Sequence, residues 1–443
     1  MKKYALIILL ALIMLALPYH LRYFGGNQTF AGDEPYYHSK IAQTVAEQGI
    51  PQINLISTPY SVQPYHLVLA GIFKLTGNFA FAITPILFSL LSILLFYCLL
   101  KQLKLDEQTQ LWTLLIFALS PAFISIGFYN TPLAFDLFLV LLGIIILNSK
   151  KPAYSAIPFL VASVDSLSAA LASIFCVAHY VINDKTKNFK IALIGLIPIF
   201  CAVLVKYNLP LQFFKNTTDY FSDLGGAYGL GTFIIILMLI SAMLLWPKKE
   251  YLTFSLIIVF IVSAIIYPPL FPFILPISSI LAGFSLSYLF KRKWELKSLR
   301  TLTLFVIFLG LLFSAISHST AHSKDSPSQE LMSTLSSIEP GTILTAKEYS
   351  NWASLKHKTL LHSLISQPEE QQNDANAILF SNDLEKTKQL IQKNKVDYVL
   401  ITPEMKKGLV WNEENFGLAF IVNNNETFKR IPTDNSIELY RVT

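Results

Sequence analysis

Long apolar runs separated by short polar loops dominate the chain. The first runs from Tyr4 to about Leu17, directly after Met1-Lys2-Lys3. Crossing a bilayer takes roughly 17–25 apolar residues. Runs of that kind occupy 79–100, 110–128, 131–148, 188–206, 229–246, 251–267, 270–290 and 301–317. The stretch 153–182 is too long for one straight helix and is interrupted by Pro158 and Asp165, which predicts a tight hairpin or a pair of short helices. Two weaker patterns precede residue 79. Tyr37–Gln48 places Ile41, Val45 and Tyr37 on one helical face and is ended by Gly49, as suits a helix lying along a bilayer surface. Leu67–Leu75, led by Pro64-Tyr65-His66 and closed by Thr76-Gly77, is short for a span and is expected to be peripheral or half-inserted.

Beyond about residue 320 the pattern changes. Thr342–Thr345 and Val396–Thr402 read as short buried strands, and Asp383–Asn394 as an amphipathic helix with Leu384, Leu390 and Ile391 on its apolar side. Leu418–Val422 and Ile437–Val442 read as further strands, with a turn near Asn423-Asn424-Asn425. The expected fold class is therefore a polytopic α-helical membrane protein of about 10–12 transmembrane helices with a C-terminal α/β domain. The expected boundaries are 1–318 for the membrane domain, with outer loops 21–64 and 208–228, and 319–443 for the soluble domain.

Composition strengthens this reading. Of 443 residues, 53% are hydrophobic and only 14% charged, with a mean hydropathy of +0.51, which excludes a soluble globular chain. The net charge of +6 sits largely in short loops, so it reads as topology signal and not as a nucleic-acid surface. Lys101–Lys104, Lys150-Lys151, Lys185–Lys190, Lys248-Lys249 and Lys291–Arg300 belong in the cytoplasm with the N-terminus, which sends the C-terminal domain outside a plasma membrane. Pro18-Tyr19-His20-Leu21-Arg22 gives no small-residue cleavage site, so the first run is read as a retained helix. Cys98, Cys176 and Cys201 fall in apolar runs and form neither a disulfide framework nor a zinc pattern.

The chemistry-bearing stretch is Gly32-Asp33-Glu34-Pro35-Tyr36-Tyr37-His38, just outside the first span. Two adjacent carboxylates beside a bilayer are costly unless they face water, a metal or a substrate. A carboxylate there can engage the acceptor in glycosyl transfer, and a carboxylate pair can hold a divalent ion that neutralises a leaving phosphate. The same pair also suits the N-terminus of the helix that follows. Asp136 and Asp165 lie inside apolar runs and are candidates by position, Asp165 equally as a backbone cap.

Asp33-Glu34-x-x-Tyr37, then a helix, Gly49-Ile50-Pro51, Pro64-Tyr65-His66-Leu67-x-Leu69-Ala70 and Phe73-Lys74-Leu75-Thr76-Gly77 together resemble the first extracytoplasmic loop of GT-C superfamily glycosyltransferases. The pattern is most similar to the protein O-mannosyltransferase and aminoarabinose transferase branch, and its Asp-x-x-Tyr also to the oligosaccharyltransferase catalytic subunit. The order of the rear half, an acidic outer loop, four spans and a soluble domain, is similar to the oligosaccharyltransferases. The resemblance implies a donor in which a sugar is linked to a polyprenyl phosphate or diphosphate, and a protein, lipid or glycan acceptor. It assigns catalysis to Asp33 with Glu34 and a divalent cation, Mg or Mn, to Asp33 and Asp223, with Asp219 the second match for the rear-loop acid, and the candidate substrate contacts are Tyr37, His38 and Asp223, with Asp136 added by its place inside an apolar run. Two departures stand out. Tyr267–Phe273 lacks the cation that the superfamily uses for the lipid phosphate, a role that falls to Lys206 or Lys215 here. Glu348-Tyr349-Ser350-Asn351-Trp352 does not match the oligosaccharyltransferase Trp-Trp-Asp-Tyr-Gly motif. These departures favour the alternative of a catalytically degenerate scaffold or binding protein in envelope glycan assembly.

Overall fold

A computed structural model describes residues 2–49, 62–183, 221–224, 226, 229–245, 258, 261–262, 264, 267–355, 357–361, 368–411, 416–433 and 437–443. Along these residues the longer helices are α1 (Lys2–Phe24), α2 (Glu34–Gln48), α3 (Pro64–Thr76), α4 (Ala80–Gln102), α5 (Glu107–Leu119), α6 (Pro121–Phe128), α7 (Leu133–Leu147), α8 (Ala156–Asp165), α9 (Leu167–Asn183), α10 (Thr232–Leu245), α11 (Phe271–Lys291) and α12 (Lys297–His322). The remaining helices are α13 (Gln329–Ser337), α14 (Ser350–Ala353), α15 (Glu369–Phe380), α16 (Leu384–Lys393) and α17 (Leu418–Ile421). The chain packs as two units, one of 1–25 with 63–324 and one of 26–62 with 325–443. The expected spans 188–206 and 251–267 lie wholly or mostly outside the described residues.

The first unit is helical and membrane-spanning. Among the described residues, α1, the nearly continuous Pro64–Gln102, α11 and α12 are long and apolar enough to cross a bilayer. α5 and α6 together are apolar enough for a broken span or a re-entrant loop and are bent by 52°, because Ser120 takes an extended ψ of 130° before Pro121. The 153–182 stretch is two short helices, α8 and α9, broken at Ser166 (φ −137°, ψ 150°). Leu67–Leu75 is not a separate piece: it lies in α3, which a 3₁₀ turn at Gly77–Phe79 joins to α4.

Helix contacts here rely on small residues, as expected where lipid supplies no hydrophobic drive for association. Gly283 of α11 faces the backbone of Thr113 in α5, Gly143 of α7 faces the ring of Phe159 in α8, and Gly310 of α12 faces that of Phe233 in α10. Ser285 Oγ donates to the Leu237 carbonyl across α11 and α10 (2.5 Å). Around them Met14, Ile116, Ile124, Ile234, Leu286 and Leu311 close an apolar core. α4, α7, α9 and α11 also enclose an apolar cavity of about 710 Å³, lined by Val140, Ile144, Phe175, Phe273 and Ile277 among others.

The second unit is α/β. Its strands are β1 (Thr342–Leu344), β2 (Lys358–Thr359), β3 (Tyr398–Ile401), β4 (Phe428–Ile431) and β5 (Glu438–Val442), in the order β2-β1-β3-β5-β4. β1 runs parallel to β2 and β3, whereas β5 runs antiparallel to β3 and β4. Expected strands at 342–345, 396–402 and 437–442 are thus present, as is the amphipathic helix, now α16 with Asp383 as its side-chain cap. Leu418–Val422 is not a strand. It forms α17 after Gly417, whose φ of +60° turns the chain, and the strand comes later at Phe428–Ile431. Trp352, Trp411, Leu400, Phe428 and Leu439 fill the core, and Tyr36 from α2 joins them. Three bonds secure the segment before α2 to the start of the C-terminal part. Gly32 N–H donates to the Ser326 carbonyl (2.8 Å), and Asn27 Nδ2 and Thr29 Oγ1 to that of Pro327 (3.1 and 2.7 Å).

A Cβ on Gly283 would lie 2.9 Å from both Cα and N of Thr113, backbone that cannot move alone. Gly283→Ala should therefore destabilise the protein by about 1–3 kcal/mol, read as a lower thermal unfolding midpoint in detergent. Gly71→Ala, with no atom within 4 Å of the added carbon, should not lower it.

Candidate functional site

Asp33 stands immediately before α2, where Pro35 in the first turn favours helix initiation. It is half-buried and makes no capping bond to its own helix. Its carboxylate instead meets the start of α14. Oδ1 accepts the backbone N–H groups of Asn351 (2.8 Å) and Trp352 (3.2 Å), and Oδ2 accepts the side-chain amide of Asn351 (2.5 Å). Two turns further along α2, Lys40 Nζ donates to the Ser354 carbonyl at the other end of α14 (3.0 Å). An acid at the N-terminal end and a base at the C-terminal end match the helix dipole. Burial lowers the Lys40 ammonium below the usual lysine range. Between the two contacts Tyr36 enters the core. Beside them Tyr349 packs on Trp352 with centroids 5.3 Å apart, and burial, with the Glu404 carboxylate adding to it, pushes its hydroxyl up to about 12.

The other residues of the loop diverge. Glu34 is exposed on the first turn of α2, Tyr37 is half-buried, and His38 is buried with its ring edge-on to Tyr37 (5.1 Å).

In the membrane unit Asp136 and Asp165 are both fully buried and close together. Asp165 Oδ1 accepts the N–H of Tyr65 in the first turn of α3 (3.0 Å), and Ser166, the next residue, donates to Asp136 Oδ2 (2.5 Å). Tyr65, from the Pro-Tyr-His segment, donates its hydroxyl to Asn130 Oδ1 (2.6 Å), while His66 Nδ1 accepts the N–H of Gln63 (3.0 Å). The starts of α3, α7 and α9 thus meet in one buried polar cluster.

Asp223 is exposed and closes a turn in which Phe221 pairs with Leu230. Oδ2 accepts the N–H of Thr232, the first residue of α10 (2.5 Å), and Oδ1 accepts the hydroxyl of Ser314 on α12. Asp219, Lys206 and Lys215 lie outside the described residues. At the expected phosphate position, the 3₁₀ turn Pro268–Leu270 leads into α11 with Leu270, Phe271 and Phe273 buried.

Sequence reasoning passed over two features. Arg22, at the end of α1, is buried and donates to the Ser323 carbonyl (2.9 Å). His318 and His322 face α6, where Ser125 Oγ meets His318 Nε2 (2.6 Å) and Tyr129 Oη meets His322 Nδ1 (2.7 Å). The signal was present: both pairs are spaced four apart, so each presents one helical face.

A divalent cation needs several oxygen or nitrogen donors converging on one point. Among the described residues, no three His, Cys, Asp or Glu side chains converge, and both oxygens of Asp33 and of Asp223 already accept hydrogen bonds. The described donor set does not by itself fit the expected metal.

No family model and no curated protein matches the sequence. Solved structures do match. The archaeal oligosaccharyltransferase AglB from Archaeoglobus fulgidus, in complex with an inhibitory peptide and a dolichol-phosphate, is 12% identical over 100% of this chain and 74% of that one, with a TM-score of 0.63. The chain carries the GT-C fold. The same archaeal enzyme complexed with Zn and sulfate matches at a TM-score of 0.60, with 12% identity over 98% of this chain and 73% of that one. ArnT from Cupriavidus metallidurans in the apo state matches at 0.55, with 10% identity over 99% of this chain and 97% of that one.

Asp33→Ala strands three donors on Asn351 and Trp352, and Asp165→Ala strands the N–H of Tyr65. Each variant should lose about 1–3 kcal/mol and unfold at a lower temperature in detergent. Asp33→Asn keeps a carbonyl acceptor and should unfold between Asp33→Ala and the wild type.

Proposed function

We propose that the protein is a membrane glycosyltransferase that moves a sugar from a polyprenyl phosphate or diphosphate to a protein, lipid or glycan acceptor at the outer face of a plasma membrane. The observation that carries this reading is an acid in the superfamily's first-loop position, Asp33, whose Oδ1 is fixed by two backbone N–H groups. A GT-C fold over the full chain supports it.

In the proposed reaction the acceptor's O–H or N–H hydrogen-bonds to Asp33. The acceptor heteroatom attacks the anomeric carbon from the face opposite the phosphate, and the configuration inverts. The bond between that carbon and the phosphate oxygen breaks, and the polyprenyl (di)phosphate leaves with the electron pair. The acceptor proton passes to the Asp33 carboxylate. Glu34 stands one residue on, in the first turn of α2. Within the membrane unit, Asp165 and Asp223 fix the starts of α3 and α10, and Asp136 ties α7 to Ser166. The apolar cavity among α4, α7, α9 and α11 is the place in the membrane unit suited to an isoprenoid chain. The topology that goes with this reading has the N-terminus in the cytoplasm and the α/β unit outside.

A second reading, a degenerate scaffold in envelope glycan assembly, is favoured by the uncharged Tyr267–Phe273 stretch. The two part in one assay. Purified protein is given radiolabelled polyprenyl-phosphate and polyprenyl-diphosphate sugars together with membrane extract as acceptor source. Transfer that Asp33→Ala reduces by at least about a hundredfold supports the enzyme, whereas lipid binding without turnover supports the scaffold. Val140→Trp, which fills the cavity, should raise KM severalfold for a long-chain donor and leave it unchanged for a short-chain one.

A further inference from the structure

The carboxylate that this reading places against the acceptor is already holding a side chain. The two oxygens of Asp33 are held differently. Oδ1 rests on backbone N–H groups of Asn351 and Trp352, which belong to the chain at the start of α14 and have no side-chain torsion to turn them away. Oδ2 takes the Asn351 carboxamide, Nδ2 at 2.5 Å, and a turn about the side-chain bonds releases it. Trp352 is a core residue and holds the backbone donors in place, whereas Asn351 is buried, so its carboxamide must move before an acceptor reaches Oδ2.

We infer that the Asn351 side chain is a built-in occupant of the acceptor position on Asp33, and that the acceptor displaces it. The inference rests on the transferase reading above. It also narrows the acceptor. The group that takes the carboxamide's place must donate a hydrogen bond to a carboxylate oxygen, as a hydroxyl, amide or amine does. A phosphate oxyanion would bring a like charge to Oδ2 and be repelled. The charge of Asp33 leaves Oδ2 to neutral or cationic donors, and Asn351 sets the threshold an acceptor must exceed to bind.

The test uses the full-length protein in detergent and two probe acceptors, N-acetylserinamide and phenyl phosphate, with a radiolabelled polyprenyl-phosphate hexose as donor. Asn351→Ala keeps both backbone N–H groups and removes the occupant. It should lower KM for N-acetylserinamide by about tenfold, the worth of one charge-assisted hydrogen bond. Phenyl phosphate should not be used, and adding Asp33→Ala should abolish the gain. An unchanged or higher KM, or transfer to phenyl phosphate, overturns the proposal. A second readout needs no turnover: the rate at which a carbodiimide and glycine ethyl ester modify Asp33, followed by peptide mass spectrometry. Asn351→Ala and Asn351→Ser should speed this by about tenfold without a matching fall in the unfolding temperature. An unchanged rate in a folded variant overturns the proposal. If the wild type transfers nothing to any acceptor, the transferase reading fails, and the labelling rates still decide whether Asn351 occupies Asp33.

Discussion

Every helix start leaves backbone N–H groups without an intrahelical partner, and away from water each must find an acceptor. This chain breaks into many helices, several of them short, so it has many such starts. It closes three of them with carboxylates from other segments. Asp165 receives Tyr65 at the start of α3, Asp223 receives Thr232 at the start of α10, and Asp33 receives Asn351 and Trp352 at the start of α14. Each bond joins an acid to a helix it does not belong to, so each is a joint in the fold. In the membrane unit the demand is sharper, because a break in a helix crossing hydrocarbon must find its acceptors within the protein, and Asp165 beside such a break is buried.

A joint can also be a working group. An ionised carboxylate has about four acceptor positions on two oxygens, and with two backbone donors on Oδ1 the other oxygen of Asp33 takes the Asn351 carboxamide. The anchoring is what makes the acid useful, since a reacting group must already be oriented before its partner arrives. Asp33 therefore ties α2 to α14 and presents an oxygen with a defined direction. Lys40 at the far end of α14 and Tyr36 between them prevent α2 from rotating that oxygen away.

Much of this architecture is legible in the residues. Span length and apolar content announce α1, α4, α11 and α12, and short strand-like runs announce β1, β3 and β5. The helix at 384–393 declares itself through period and an Asp cap. Leu418–Val422 misleads because a run of five apolar residues fits a strand and a buried helix equally. The actual strand, Phe428–Ile431, carries Lys429 and Arg430 on the sheet edge and so looks polar. Charge and position pick out the acids Asp33, Asp136, Asp165 and Asp223 individually. Their partners are hidden, because Asn351 stands 318 positions from Asp33 and no local period records such a pairing. The broken motif Glu348–Trp352 drew notice only for its departure from a family pattern. Its asparagine and backbone prove to be what the first-loop acid holds.

The paired contacts Ser125–His318 and Tyr129–His322 bear on how the polypeptide leaves the lipid-embedded bundle. Apolar surfaces resist separation but tolerate twisting, since one methyl group replaces another at little expense. Two directional bonds four residues apart do not. Turning α12 about its axis by a single position would break both at once, with buried imidazoles left facing hydrocarbon. The last span is thereby keyed, and the azimuth at which the backbone emerges at Lys324 is set by hydrogen bonding instead of by grease.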